Sequence, residues 1–202
     1  MAISYPLDLP TAIGIANIEL RAKNVVAISS SPFTYQQTSY SYGGEMWEAD
    51  ISLPPMNRDS AEQWVSFLVS LRGQSGTFLL NDPIAKTPRG SVRDSDSISI
   101  TGTAGDTTVS CTMTNNKTLK AGDYIQLGTG TDSTLHKVLE DYTGNGSARD
   151  LEIFPALRKA RSSVTPTVET AKGLFRLSTS ESAWSINNAS FYGISFGAME
   201  VV

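Results

Sequence analysis

From Glu45 to Leu53 the chain alternates. Glu45, Trp47, Ala49, Ile51 and Leu53 fall on one side of a period-two pattern, and Met46, Glu48, Asp50 and Ser52 on the other. One side is mostly apolar and the other mostly polar, which predicts a half-buried strand. Gly43 and Gly44 open it, and Pro54 and Pro55 end it, because proline gives a ladder no donor. The period then changes. Ala61, Trp64, Val65, Leu68 and Leu71 recur at helical spacing and predict a helix over 58–72 with one core-facing stripe. Asn57 or Asp59 is placed to cap its start. Asp59 and Glu62 have the spacing of a capping box, and Gly73 stands where a left-handed C-terminal cap belongs. Thr77 to Leu80 reads as a short buried strand, closed by Asn81, Asp82 and Pro83. One amphipathic helix is thus expected between two strands and packed on their sheet.

Residues 1–15, with Pro6 and Pro10, read as an extended arm of the kind that covers a strand edge, its own or a neighbour's. Ile18 to Ile28 predicts a strand or a hairpin, with Asn24 as bulge or turn. Phe33, Tyr35 and Gln37 then alternate with Thr34, Gln36 and Thr38, and Tyr40 and Tyr42 extend that aromatic side to the glycine pair. From Ile84 the composition shifts. Lys86 to Gly90 is linker-like. Ile98, Ile100, Val109, Cys111 and Met113 mark alternating apolar positions. Leu119 to Gly128 reads as a turn into a strand and Leu135 to Tyr142 as the next strand. Leu151, Ile153 and Pro155 follow and a strand is expected near 164–168, with turns between them, which predicts a small all-β barrel or sandwich. After Lys172 and Gly173 the chain returns to the character of its first 85 residues. A long final strand over 189–202 carries aromatic residues on both sides of its pleat and is expected to be central or at an interface. The expected fold is mainly β. A β-barrel or sandwich domain is formed by 1–85 and 170–202 with one packed α-helix at 58–72, and a small all-β domain is inserted at 86–169.

Composition adds limits. The 202 residues are 40% hydrophobic, enough for a folded core, and only 18% charged. A net charge of −4 argues against a protein that grips nucleic acid through its phosphates, which needs a basic face. Arg158, Lys159 and Arg161 form the best local basic patch, and a solvated loop explains them more simply. Cys111 is the one cysteine, so no intrachain disulfide can form, and it reads as a small buried hydrophobe. The first residues lack the basic start and apolar core of a secretory signal, and no run approaches a membrane span. The expectation is a protein made in the cytoplasm and not inserted into a membrane.

Candidate chemistry is sparse. His136 is the one histidine, which excludes a zinc site built of His and Cys ligands, and it reads as a surface or hydrogen-bonded residue. Neither a nucleophile elbow nor a phosphate-binding loop is present. Glu48 and Asp50 share a strand face as a glycosidase pair would, but ordinary solvent-facing residues explain them. The turns 102–106 and 128–132 are rich in Gly, Thr and Asp without the spacing of a calcium-binding loop, so turn chemistry accounts for both. No catalytic, cofactor-binding or metal-binding residues are expected.

The run GGEMWEADISLPPM, then AEQWVSFLVSLRG, GTFLLNDP and TPRG, together with LKAGDYIQLG and KGLFRLS, resembles the distal tail and tail-tip (baseplate) structural proteins of long-tailed bacteriophages and prophages. The similarity spans about Pro32 to Trp184. It implies a tail-tube-like β-barrel/sandwich domain and a homo-oligomeric ring, a hexamer before a trimer. That ring joins the tail tube protein to the hub, tip and fibre proteins. It implies a virion location at the tail tip, reached from the host cytoplasm, with no enzymatic role and no specific hold on nucleic acid. The alternative expectation is a carbohydrate- or receptor-binding β module of the tail tip, with Tyr35, Tyr40 and Tyr42 as an aromatic platform.

Overall fold

Asn57 starts the helix that divides the first strands. Its Oδ1 accepts from the Ser60 backbone N–H at 3.2 Å, which satisfies one of the donors a helix start leaves open. The computed structural model describes residues 3–11, 13–188 and 190–202. Expectations for Met1, Ala2, Ala12 and Ala189 lie outside these residues. In chain order the elements begin with β1 (Asn17–Ser30), β2 (Gln37–Ser52), α1 (Arg58–Ser70) and β3 (Phe78–Leu80). The middle of the chain supplies β4 (Ile98–Gly102), β5 (Thr108–Met113), β6 (Thr118–Leu119) and β7 (Tyr124–Leu127), then β8 (Thr134–Val138), β9 (Tyr142–Thr143), β10 (Arg149–Phe154) and β11 (Arg161–Val164). The chain closes with β12 (Gly173–Leu177), β13 (Trp184–Ile186) and β14 (Tyr192–Glu200). The fold is mainly β with one α-helix among the described residues, and its curled antiparallel sheets have the character of a sandwich or barrel.

One sheet takes its strands from both ends of the chain, in the order β1-β2-β14-β12-β3, with β13 paired to β14. The alternation of β2 holds in its second half, where Trp47, Ala49 and Ile51 are buried, and continues to Leu53. On that face lies α1, whose Ala61, Trp64, Val65 and Leu68 point inward. The Trp64 ring lies 5.9 Å from Phe67 and 6.1 Å from Phe196, fixing helix to sheet. The capping box does not form, since Asn57 is the cap and Glu62 pairs with Arg58 at 3.6 Å. The helix ends at Ser70 with Leu71 as cap, short of the expected residue 72. The left-handed turn begins at Arg72 (φ 50°) and continues into Gly73 (φ 66°), so the glycine is its second residue.

The N-terminal arm covers an edge of its own sheet. Leu7 donates to Thr77 O and accepts from Leu79 N, both at 2.9 Å, and so pairs parallel to β3. Tyr5, Leu7, Leu9, Ile13 and Ile15 pack against the first core. The last strand, β14, is central, flanked by β2 and β12.

A second sheet, of order β11-β4-β5-β10-β8-β7, comes from the middle of the chain, beside the small β6-β9 pair. It encloses a second cluster that includes Ile98, Ile100, Cys111, Ile125, Leu127 and Val138. The strand expected to reach residue 142 stops at Val138, and the last strand of this region lies at 161–164 rather than 164–168. The two regions meet at Trp47. Its indole Nε1 donates to Leu135 O at 3.1 Å, and its ring stands edge-on to Phe154 at 5.1 Å.

Candidate functional site

The most unusual surface is the far half of the β1–β2 pair. Gly43 and Gly44 do not open β2 but lie within it, because the strand begins at Gln37. Likewise β1 does not turn at Asn24. It passes a bulge between Asn24 and Val26 and pairs with β2 as far as Ser30 opposite Gln37. Residues 31–36 form the loop, in which Tyr35 N donates to Ser31 O at 2.9 Å and Tyr35 itself is left-handed, with φ 55°. Phe33 and Tyr35 are therefore loop residues, not members of an alternating strand. Since β14 covers β2 only from Glu48 to Ser52, the rest of the pair extends as a two-stranded ribbon. At about 3.4 Å per residue, from Gln37 to Gly44 it reaches on the order of 25 Å.

Every large apolar side chain on the ribbon is at least half exposed: Val25, Val26 and Ile28 on β1, Tyr40 and Tyr42 on β2, and Phe33 and Tyr35 in the loop, where Phe33 reaches 91%. No charged residue lies between Lys23 and Glu45. An isolated two-stranded ribbon is at best marginally stable in water, and exposed strand edges normally carry charges that deter pairing. Apolar patches of this kind mark contact surfaces. At its base the charges return as cross-strand pairs. Lys23 meets Glu48 at 2.7 Å, and Arg21 meets Asp50. Glu48 and Asp50 thus serve as ion-pair partners on the solvent side of the sheet.

The basic trio is not an open patch: Lys159 is solvated in the connection before β11, while Arg158 and Arg161 are largely covered. Lys159 and Arg161 both pair with Asp132, and Arg158 meets the buried Glu200 at 2.8 Å. Lys159 and Arg161 hold the Asp132 carboxyl below its ordinary range. Glu200 also accepts from Trp47 N at 3.0 Å, while Glu45 accepts from Ala156 N at 2.8 Å. Burial pushes the Glu200 carboxyl up, and the hydrogen bond from Arg158 pulls against it.

His136 is fully buried. Its Nδ1 is 2.7 Å from Pro155 O, which can only accept, so Nδ1 carries the proton and Nε2 faces the Thr134 hydroxyl at 2.9 Å. Burial holds its pKa down to about 4. Cys111 is buried too, and burial pushes its thiol up to about 11, far from a reactive thiolate. Asp106 accepts from both the backbone and the hydroxyl of Thr103, within its own turn. Among the described residues, no three His, Cys, Asp or Glu side chains converge to hold a metal.

The three residues of the expected aromatic platform share the ribbon but not one face. Tyr40 and Tyr42 lie on one side of β2, and Tyr35 lies in the loop. The signal that would have found this surface in the sequence is the missing charge, rather than any apolar period. The chain matches no protein-family model and no curated protein.

Proposed function

We propose that the protein is a structural component of a phage tail tip, forming a ring that joins the tail tube to the hub and fibre proteins. The observation that carries this reading is the uncharged β1–β2 ribbon, with open edges and apolar side chains on both faces. Such a ribbon suits burial between subunits better than exposure to water. The sequence resemblance supplies the tail, and the ribbon supplies a means of assembly. Six copies are the expected stoichiometry, with three as second choice. The role is structural and non-enzymatic, and the net negative charge suits a lumen through which DNA passes without being held. Gold-labelled antibody against this chain, applied to intact particles, tests the reading. Label at the tail tip is expected, and label on the capsid or on no part of the particle counts against it.

A second reading has one observation in its favour, the exposure of Tyr35, Tyr40 and Tyr42. Aromatic rings stack on sugars, so the same ribbon can serve a receptor- or carbohydrate-binding module. Saturable binding to glycans of the host surface, lost in Tyr40→Ala and Tyr42→Ala, would favour it. No binding across a glycan panel would leave the structural role alone.

A further inference from the structure

We infer that copies of this chain associate head to tail, the β1–β2 ribbon of one copy docking on the β13–β14 hairpin of the next. The inference rests on the proposed function only in taking a second copy as the partner. Its grounds are charge, position and exposure.

The two longest uncharged stretches of the sequence run between Lys23 and Glu45 and between Glu181 and Glu200. The first contains the ribbon. The second contains β13, β14 and their connection, and there Trp184, Ile186 and Phe191 are 40–58% exposed. Soluble surfaces ordinarily mix charges of both signs. Two neutral, partly apolar hairpins on one chain are therefore two unmatched halves of a contact.

Register puts them at opposite ends of one sheet. Ser195 faces Ser52 and Met199 faces Glu48, so β2 continues into the ribbon beyond the Glu200 end of β14. β13 pairs with the other end, Trp184 opposite Ile194 and Ile186 opposite Tyr192. Tyr192 and Ile194 belong to the core. Trp184 and Ile186, on the same side of the sheet, extend that apolar side outward to its margin. A ribbon-to-ribbon contact would leave the hairpin uncovered. A head-to-tail contact covers both with one repeated interface, which closes into a ring when the rotation permits.

The experiment uses two single variants of the full chain, Ile28→Glu on the ribbon and Ile186→Glu on the hairpin. Both sites are exposed, so circular dichroism should match the unaltered protein. Mass photometry and light scattering then read the assembly state. The unaltered protein should form higher species, and each variant alone should associate at least tenfold more weakly. Mixed in equal amounts, they should form a one-to-one dimer and nothing larger, because each retains the surface the other has lost. Monomeric behaviour of the unaltered protein at every concentration would overturn the inference. So would undiminished association of Ile186→Glu, which would mean that the ribbon meets itself, or a mixture that stays monomeric. None of these outcomes bears on where the antibody labels the particle, so the tail-tip reading stands or falls separately.

Discussion

Arg158 and Glu200 meet at 2.8 Å with side chains only 12% and 1% exposed. The pair joins the middle of the chain to its last strand, and Trp47 N donates to the same carboxylate oxygen, Oε2, while the buried Oε1 has no hydrogen-bond partner among the described residues. Buried pairs contribute little net stability against apolar replacements of similar size, but losing one partner strands the other charge. Arg158→Met should therefore destabilise the protein by about 3–5 kcal/mol at neutral pH. Adding Glu200→Gln should restore much of it, because glutamine still accepts from Trp47 N without a charge. Urea denaturation of the single and double variants measures this. A double variant no more stable than Arg158→Met would mean that the charge itself is not what is stranded.

His136 predicts an acid-sensitive stability. Its pKa is held at about 4 in the fold against 6.5 for the free side chain. Between those values the unfolded chain binds more protons than the folded one, so stability is lost as pH falls from about 6.5 to about 4, by roughly 3 kcal/mol in all. The raised Glu200 carboxyl opposes this trend, since the folded form takes up its proton first. The lowered carboxyls of Asp96, Asp132 and Asp141 act below the window, where they protonate. His136→Asn should flatten the change in melting temperature between pH 7 and 4.5, even if it lowers both values. An unchanged slope would remove His136 as its source.

Trp64 anchors the helix with almost no exposure. Trp64→Ala should cost about 3–5 kcal/mol, as for other large buried aromatics. The buried indole N–H has no hydrogen-bond partner among the described residues, so Trp64→Phe should cost much less, because it removes an unsatisfied donor along with the volume. Equal losses for the two substitutions would show that the indole N–H is satisfied in solution.

The N-terminal arm should behave as part of the core. Removing residues 1–10 uncovers the β3 edge at Leu79 and strips Tyr5, Leu7 and Leu9 from the first cluster. The truncated chain should melt at lower temperature and aggregate more readily through the bared strand. A truncated chain that melts with the full one would return the arm to a role outside its own subunit.

The sequence is legible where a pattern faces one core. Ala49, Ile51 and the α1 stripe follow one buried surface, so their periods name it directly. The ribbon does not. Val26 and Tyr40 stand on opposite faces, neither covered, so alternation carries no signal of inside and outside there. Its loop also lacks the Asn-Gly type of turn that announces a hairpin, and Phe33 and Tyr35 imitate a strand. His136 sits between Leu135 and Lys137, with no local sign of burial. Its hydrogen-bond partner is Pro155, just as the ion-pair partner of Arg158 is Glu200, and contacts so far apart in sequence leave no local trace.

The ring is tested most directly by electron-microscopic class averages of the purified, assembled protein. Closed rings with six-fold symmetry are predicted, or failing that three-fold, around an opening that admits a DNA duplex. Particles that remain single copies at every concentration, or that grow as open filaments without closing, would contradict the ring.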